Sequence, residues 1–125
     1  MKLEMRKIGA VAKPFCLKEE GLCWEGGVSR VGSKLYLIEG VLHGHLQVQC
    51  ALSGVFFDKS ISQEMLLCVS DGLYTSAGRE CYVGGRVIDS MDVVESFDGR
   101  IDLSALLRAE IQSIQQDYHY ANQIQ

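Results

Sequence analysis

The run of residues from Tyr36 to Leu52 alternates between apolar and polar side chains, and it constrains the fold more than any other segment. Such alternation is typical of a β-strand with one buried face and one face in water. The apolar positions, which we expect to face the core, are Tyr36, Ile38, Leu42, Leu46, Val48, Cys50 and Leu52. Because the run is longer than an average strand and contains Gly40 and Gly44, the sequence predicts a bend, a bulge or a split there.

A second alternating run follows the first. Ser53 and Gly54 are typical of a turn. Beyond them, the apolar positions of the second run are Ile61, Met65, Leu67 and Val69. Two such runs joined by a turn are the pattern of a β-hairpin. We therefore predict a long hairpin over residues 35–69, with its connection between Ala51 and Ser60.

The segments on either side of the hairpin carry shorter signals. Residues 1–34 predict short N-terminal strands. These strands are expected over Met5 to Ile8, Pro14 to Leu17 and Leu22 to Trp24. Gly26-Gly27 is expected to break the chain after the only tryptophan. Residues 70–101 are expected to form variable loops and short strands.

The last part of the chain predicts one amphipathic helix. Asp98-Gly99 is a turn signal, and Asp102 is a good helix cap because its carboxylate accepts hydrogen bonds from exposed amides. Apolar residues then recur at helical spacing, at Leu103, Leu106, Leu107, Ile111, Ile114 and Tyr118. We expect a helix over residues 102–116, packed on the sheet, and a flexible tail over 117–125.

These patterns predict one domain over residues 1–125 and an α+β fold class. The expected architecture is a mainly antiparallel, strongly bent β-sheet with one C-terminal amphipathic helix packed on it. A chain of 125 residues can bury a hydrophobic core without metal or disulfide bridges.

Charge and hydropathy exclude several classes of protein. The formal net charge of −4 argues against a dominant nucleic-acid surface, and hence against DNA binding. A modest basic edge would still form if the fold gathered the basic residues near the start, which are Lys2, Arg6, Lys7, Lys13 and Lys18. No segment is long and apolar enough to cross a membrane, and the start lacks the apolar core of a secretory signal. We therefore expect a cytoplasmic protein with reduced thiols and no membrane partner.

The five cysteines do not follow a known spacing. They are Cys16, Cys23, Cys50, Cys68 and Cys81. The count is odd and no pair has C-x-x-C spacing, so the sequence indicates neither a disulfide framework nor a zinc ribbon. We interpret most of them as small buried apolar residues.

The order of these elements resembles that of the YceD family, the large ribosomal RNA subunit accumulation proteins. Members typically show a strand leading into Cys-x-x-Cys-Leu, and later an acidic-Gly-x-Ile-Asp-Leu segment followed by a helix. Here the strand from Gly40 to Cys50 matches the first element. The second is matched at Asp98, Gly99, Ile101, Asp102 and Leu103. The resemblance covers roughly Tyr36 to Ile114.

The chain departs from the family pattern in three places. Ser53 stands where the family has its second cysteine. The helix lacks the Leu-x-x-Pro ending, and the late cysteines are absent. These differences put a metal-binding role of this region in doubt and identify the chain as a divergent member at most.

The resemblance implies a non-catalytic helper in ribosome assembly that supports accumulation of large-subunit ribosomal RNA. The implied partner is a ribosomal precursor particle, a ribosomal protein or rRNA, with no cofactor. The alternative is a protein-binding adaptor without a ribosomal role, which uses a sheet edge or the C-terminal tail. Neither the oligomeric state nor the direct partner follows from the sequence.

Two groups of residues suggest other chemistry. His43 and His45 lie two apart on a predicted strand, so both imidazoles would face one side and could ligate zinc. A third ligand is needed, however, and Glu39 is the only nearby carboxylate on that side; two surface histidines are the alternative. Cys50 as a nucleophile would need a base, yet the histidines should lie on the opposite face. We therefore predict no catalytic site, with His43 and His45 as the metal candidates.

Overall fold

The computed structural model of the protein describes residues 1–74 and 93–119, together with the backbone of residues 82–83, 86–87 and 92. The β-strands are β1 (Lys2–Glu4), β2 (Lys13–Glu19), β3 (Leu22–Arg30), β4 (Leu35–Gln49), β5 (Phe56–Asp71), β6 (Tyr82–Val83), β7 (Arg86–Val87), β8 (Asp92–Ser96) and β9 (Arg100–Asp102). A 3-10 turn spans Met5–Lys7, and the helix α1 spans Leu103–Gln116. None of the described helices has the length and apolar character needed to cross a membrane.

The main sheet has five strands in the order β2-β3-β4-β5-β8. Strands β2 to β5 pair antiparallel with their sequence neighbours, whereas β8 pairs parallel to β5. The short strands β1 and β9 form a separate antiparallel pair, as do β6 and β7. With α1 packed on the sheet, this arrangement confirms the predicted α+β class.

The predicted hairpin corresponds to β4 and β5, which pair without interruption from Leu35 opposite Ser70 to Gln49 opposite Phe56. The alternation places the expected side chains in the core. Those buried on β4 and just beyond it are Tyr36, Ile38, Leu42, Leu46, Val48 and Cys50. The prediction was wrong for Leu52, which is 84% exposed, because the strand ends at Gln49 and the chain turns.

The glycines of β3 and β4 do not interrupt their strands. We expected a break at Gly26-Gly27 and considered a split of β4 at Gly40 or Gly44, but both strands are continuous. Gly26 lies directly opposite Gly40. A Cβ atom added at Gly26 would overlap the Glu39 carbonyl oxygen. The glycines therefore allow the backbones of β3 and β4 to approach closely, which is a second use of glycine in strands.

The N-terminal segment differs from its prediction. Met5 to Ile8 is not a strand, because Met5–Lys7 form a 3-10 turn. Side chains three residues apart lie on the same side of such a turn. Met5 and Ile8 are therefore both buried in the same core, whereas residues at this spacing point to opposite faces of a strand.

The helix α1 closes the core through one face. Its buried residues are Leu103, Leu107 and Ile111, and all three belong to the cluster that contains Trp24 and Leu42. Tyr118 was expected on this stripe but is exposed. The reason is that Asp117 leaves the helical conformation, and the next buried side chain is that of His119.

The start of α1 gives a first testable prediction. The Asp102 carboxylate accepts a hydrogen bond from the Ala105 amide at 3.1 Å. An Asp102→Ala variant should lose about 1 kcal/mol of unfolding free energy, as is usual when an N-cap is removed. Urea unfolding followed by far-UV circular dichroism measures this difference. An unchanged midpoint would show that the cap does not stabilise the native helix.

Candidate metal centre

The segment from Asp98 to Leu103, which carries part of the family resemblance, forms the corner between β8, β9 and α1. Gly99 has φ of +71°, a conformation that favours glycine. Ile101 and Leu103 are buried in the core, while Asp102 caps the helix. These residues stabilise the fold at this corner, so the segment has a structural role.

Asp98 fixes the turn at this corner. Its Oδ1 accepts hydrogen bonds from the Ser96 hydroxyl and from the Arg100 amide, both at 3.0 Å. Both bonds hold the pKa of the Asp98 carboxyl below its ordinary value of 3.8, and the bond from Ser96 has the larger effect. Hydrogen bonds to a carboxylate favour the charged form.

This lowered pKa gives a second prediction. A carboxyl with a lowered native pKa stabilises the fold above its unfolded pKa, and that contribution disappears as the pH falls through the native pKa. An Asp98→Ala variant should therefore melt below wild type at neutral pH, and the gap should narrow as the pH falls through the native pKa of Asp98, which lies below 3.8. Thermal melts across this range test it. A gap that is equally wide in acid would contradict the assignment.

Cys50 lies at the end of the hairpin, away from the predicted histidines. Its amide donates to the Val55 carbonyl at 2.8 Å, and the residue pairs with His119 in an isolated β-bridge. The side chain is buried. His43 and His45 belong to β4 positions of the opposite parity, and they are half-buried and exposed. Cys50 and these histidines therefore do not meet, as predicted.

The structure instead brings His43 to a different set of residues. His43 Nε2 lies 3.1 Å from Glu25 Oε1 on the neighbouring strand β3. The expectation that Glu39 is the only nearby carboxylate was therefore wrong, because pairing with β3 brings in a second one. No hydrogen bond or ion pair joins His43 to His45 within the described residues.

Two cysteines complete this group, which we call the outer cluster: Cys16, Cys23, Glu25 and His43. The Cys16 and Cys23 sulfurs are 3.5 Å apart. Donor atoms of Cys16, Cys23 and Glu25 all lie within 4.8 Å of one another. Sulfur and carboxylate donors at such distances could hold a metal ion, and the His43 imidazole lies beside the Glu25 carboxylate.

Strand register explains why the outer cluster forms. Cys16 lies opposite Glu25, and His43 lies opposite Cys23. Their side chains point away from the core because the alternate residues, among them Phe15, Trp24 and Leu42, are buried in it. Three adjacent strands thus present the four side chains on one face.

The outer cluster lies in an open depression near the turn between β2 and β3. The turn contributes Glu19, Glu20 and Gly21 to its lining, and Lys18 adds a positive charge. The pKa of the Cys23 thiol is raised, first by its hydrogen bond with Cys16, then by burial and by the charges of Cys16 and Glu25.

Cys16 is exposed and Cys23 half-buried, so the prediction of buried apolar cysteines fails for both, although it holds for Cys50 and Cys68. Cys81 lies outside the described residues.

No known protein family, curated protein or solved structure matches the chain. The resemblance to the YceD family consequently depends only on the residues quoted for it. The outer cluster shares only His43 with them, through the strand from Gly40 to Cys50.

Proposed function

We propose that this protein is a non-catalytic cytosolic helper in ribosome assembly, which supports accumulation of large-subunit ribosomal RNA. The resemblance to the YceD family is the basis of this proposal. The observation that favours it is the position of α1, which begins at Leu103. The resemblance implies a helix directly after the acidic-Gly-x-Ile-Asp-Leu segment, and Leu103 is the last residue of that segment here.

A basic groove supports contact with RNA. The groove is defined by four cationic side chains, Lys2, Lys7, Lys13 and Arg100, which line one depression together with Leu3 and Glu4. Glu4 offsets part of this charge, because it lies 3.3 Å from the Lys7 ammonium and 3.2 Å from Arg6. The fold thus gathers three of the basic residues near the start, Lys2, Lys7 and Lys13, and adds Arg100 to them. Lys18 instead lines the depression of the outer cluster. Clustered cations are the usual means of binding phosphate groups.

Loss of the gene provides the main test. A deletion strain should contain less mature large-subunit rRNA, and the protein should sediment with precursor particles. Normal rRNA levels together with no co-sedimentation would overturn the proposal. Complementation with the wild-type gene should restore the rRNA, which excludes an effect on a neighbouring gene.

The basic groove can be tested separately. A Lys7→Ala/Lys13→Ala double variant should bind RNA more weakly and associate less with precursor particles, because two phosphate contacts are lost. A Lys18→Ala/Lys34→Ala variant is the matched control, since it removes the same charge from exposed positions outside the groove. Equal association of both variants would exclude the groove as the RNA contact.

The alternative function is a protein-binding adaptor without a ribosomal role. One observation favours it: apolar side chains are exposed at the tip of the hairpin, where Leu52, Val55 and Phe56 lie. Tyr118 is also exposed, and its neighbour His119 is bound to Ala51 in the same loop through a 2.7 Å hydrogen bond. Exposed apolar patches are typical of protein-binding surfaces.

A pull-down with a matched variant distinguishes the adaptor from the assembly helper. The adaptor predicts capture of one non-ribosomal protein, and the capture should be lost in a Leu52→Ser/Phe56→Ser variant. Val11→Ser changes an equally exposed apolar residue elsewhere and should leave the capture intact. Capture of ribosomal proteins alone would exclude this alternative.

A further inference from the structure

We propose that the outer cluster binds one zinc-class divalent cation, with Cys16, Cys23, Glu25 and His43 as its four protein ligands. This site is independent of the proposed ribosomal function. Of the segments matched to the family, only the strand from Gly40 to Cys50 contributes a ligand, His43, and the site uses none of the basic groove.

Two distances within the outer cluster are close to those of a tetrahedral zinc site. The compact part of the cluster is the group of Cys16, Cys23 and Glu25, whereas His43 lies outside that group and would turn toward the sulfurs to complete the site. With Zn–S bonds of about 2.3 Å, two thiolate sulfurs in a tetrahedron lie about 3.8 Å apart. The Cys16 and Cys23 sulfurs are 3.5 Å apart. With Zn–N and Zn–O bonds of about 2.0–2.1 Å, nitrogen and oxygen lie about 3.3 Å apart. His43 Nε2 and Glu25 Oε1 are 3.1 Å apart.

The ligand set selects a borderline-soft cation. Two thiolates and one imidazole exclude Ca²⁺ and Mg²⁺, which prefer oxygen ligands. Four protein ligands fill a tetrahedron and leave no open position for water or substrate, which is the arrangement of structural zinc sites. We therefore assign the site a binding and stabilising role.

The strands bring three of the four ligands together before any metal is bound, and they place the fourth, His43, beside Glu25. Cys23 and Glu25 are two residues apart on β3, while β2 and β4, hydrogen-bonded on either side, supply Cys16 and His43. A thiol hydrogen bond and a carboxylate–imidazole contact hold the donors together. On binding, the cation replaces these contacts and the two thiols release their protons to solvent. The metal would then join three strands, one of which, β2, is at the edge of the sheet.

Metal loading of the untagged full-length protein tests the assignment. The protein is kept reduced with a phosphine, loaded with Zn²⁺ or Co²⁺ alone, and freed of excess metal. We expect one zinc per chain by elemental analysis. The Co²⁺ form should show the visible bands of tetrahedral cobalt and a thiolate charge-transfer band. The zinc-loaded protein should also melt at a higher temperature than the metal-free protein.

Single substitutions identify the ligands. Cys16→Ser and Cys23→Ser should abolish the thiolate band and stoichiometric binding, and Glu25→Gln and His43→Ala should each weaken zinc binding at least about tenfold. His45→Ala is the matched control and should bind as wild type does. Circular dichroism and Trp24 fluorescence establish that each variant is folded, because Trp24 lies in the core on the other face.

Three results would overturn the assignment. The first is zinc well below one per chain in the reduced protein. The second is undiminished binding by the folded Cys16→Ser and Cys23→Ser variants, which would place the ion on other thiols. The third is loss of binding in His45→Ala, which would require a different ligand set.

Discussion

A Gly26→Ala variant is expected to lose about 3 kcal/mol of unfolding free energy, near the upper end of the range for overpacked cores. The added methyl group would overlap the carbonyl oxygen of Glu39 and would lie 2.5 Å from the Gly40 Cα. Both are backbone atoms of β4, so no side-chain rotation can relieve the overlap. The two strands would have to move apart where their hydrogen bonds hold the centre of the sheet together.

Urea unfolding followed by fluorescence measures this loss. Trp24 is the only tryptophan, and it is fully buried two residues from Gly26. Its emission should shift to longer wavelength if the strands separate. Gly40→Ala should act in the same direction, because its added Cβ would lie 2.7 Å from both the Trp24 Nε1 and the Glu25 carbonyl oxygen.

Gly9→Ala is the matched control for the glycine series. A Cβ at Gly9 would meet no atom within 4 Å, so this substitution should be neutral or stabilise the protein by a few tenths of a kcal/mol, about the lower limit for glycine replacement. If Gly26→Ala proved as stable as Gly9→Ala, the close approach of β3 and β4 would be wrong.

A Leu107→Ala variant is expected to lose about 2–5 kcal/mol, the usual cost of removing a buried leucine side chain. Leu107 is fully buried in the main core cluster, between the helix and the sheet. The truncation leaves a cavity in the layer that attaches α1. Alanine has the best helix propensity, so the loss reports packing alone.

Thermal and urea unfolding of this variant should be compared with those of Gln112→Ala. Gln112 lies on the exposed side of the same helix, and its replacement should change the stability by less than about 0.5 kcal/mol. Equal stability of the two variants would contradict the packing of α1 on the sheet.

Periodicity predicted the fold class because each long element buries one face. The alternation from Tyr36 to Val48 and the helical spacing from Leu103 to Ile111 both correspond to buried residues. Periodicity alone could not distinguish a glycine that ends a strand from a glycine that allows two strands to approach closely. Gly26-Gly27 was predicted to break the strand, but the strand continues through it and Gly26 allows β3 and β4 to approach closely.

The parallel pairing of β8 with β5 could not be predicted from the sequence patterns either. Strand β8 pairs with β5 although some twenty residues separate them, and no local signal specifies which strand a short apolar segment joins. The burial of Leu37 on the other face of the sheet, where it packs with Cys68, was missed for the same reason. It depends on Val93 and Tyr74, which tertiary structure places nearby.

One pairing within the outer cluster, by contrast, follows from a single local turn. Glu20 and Gly21 both have positive φ, the geometry of a two-residue type I′ hairpin turn. Recognising that turn places Glu19 opposite Leu22, and counting outward then places Cys16 opposite Glu25. Motifs such as C-x-x-C detect ligands that are close together in the sequence. The residues of the outer cluster are instead brought together by the pairing of three strands.

The pairing of β1 with β9 has a consequence for how the protein forms during synthesis. Residues 2–4 can find their partners only after residues 100–102 have left the ribosome, although translation delivers them first. The meander from β2 to β5 needs only local hairpins and can assemble earlier. We expect that a nascent chain stopped before β9 keeps its first residues accessible to protease, and that completion of α1 protects them.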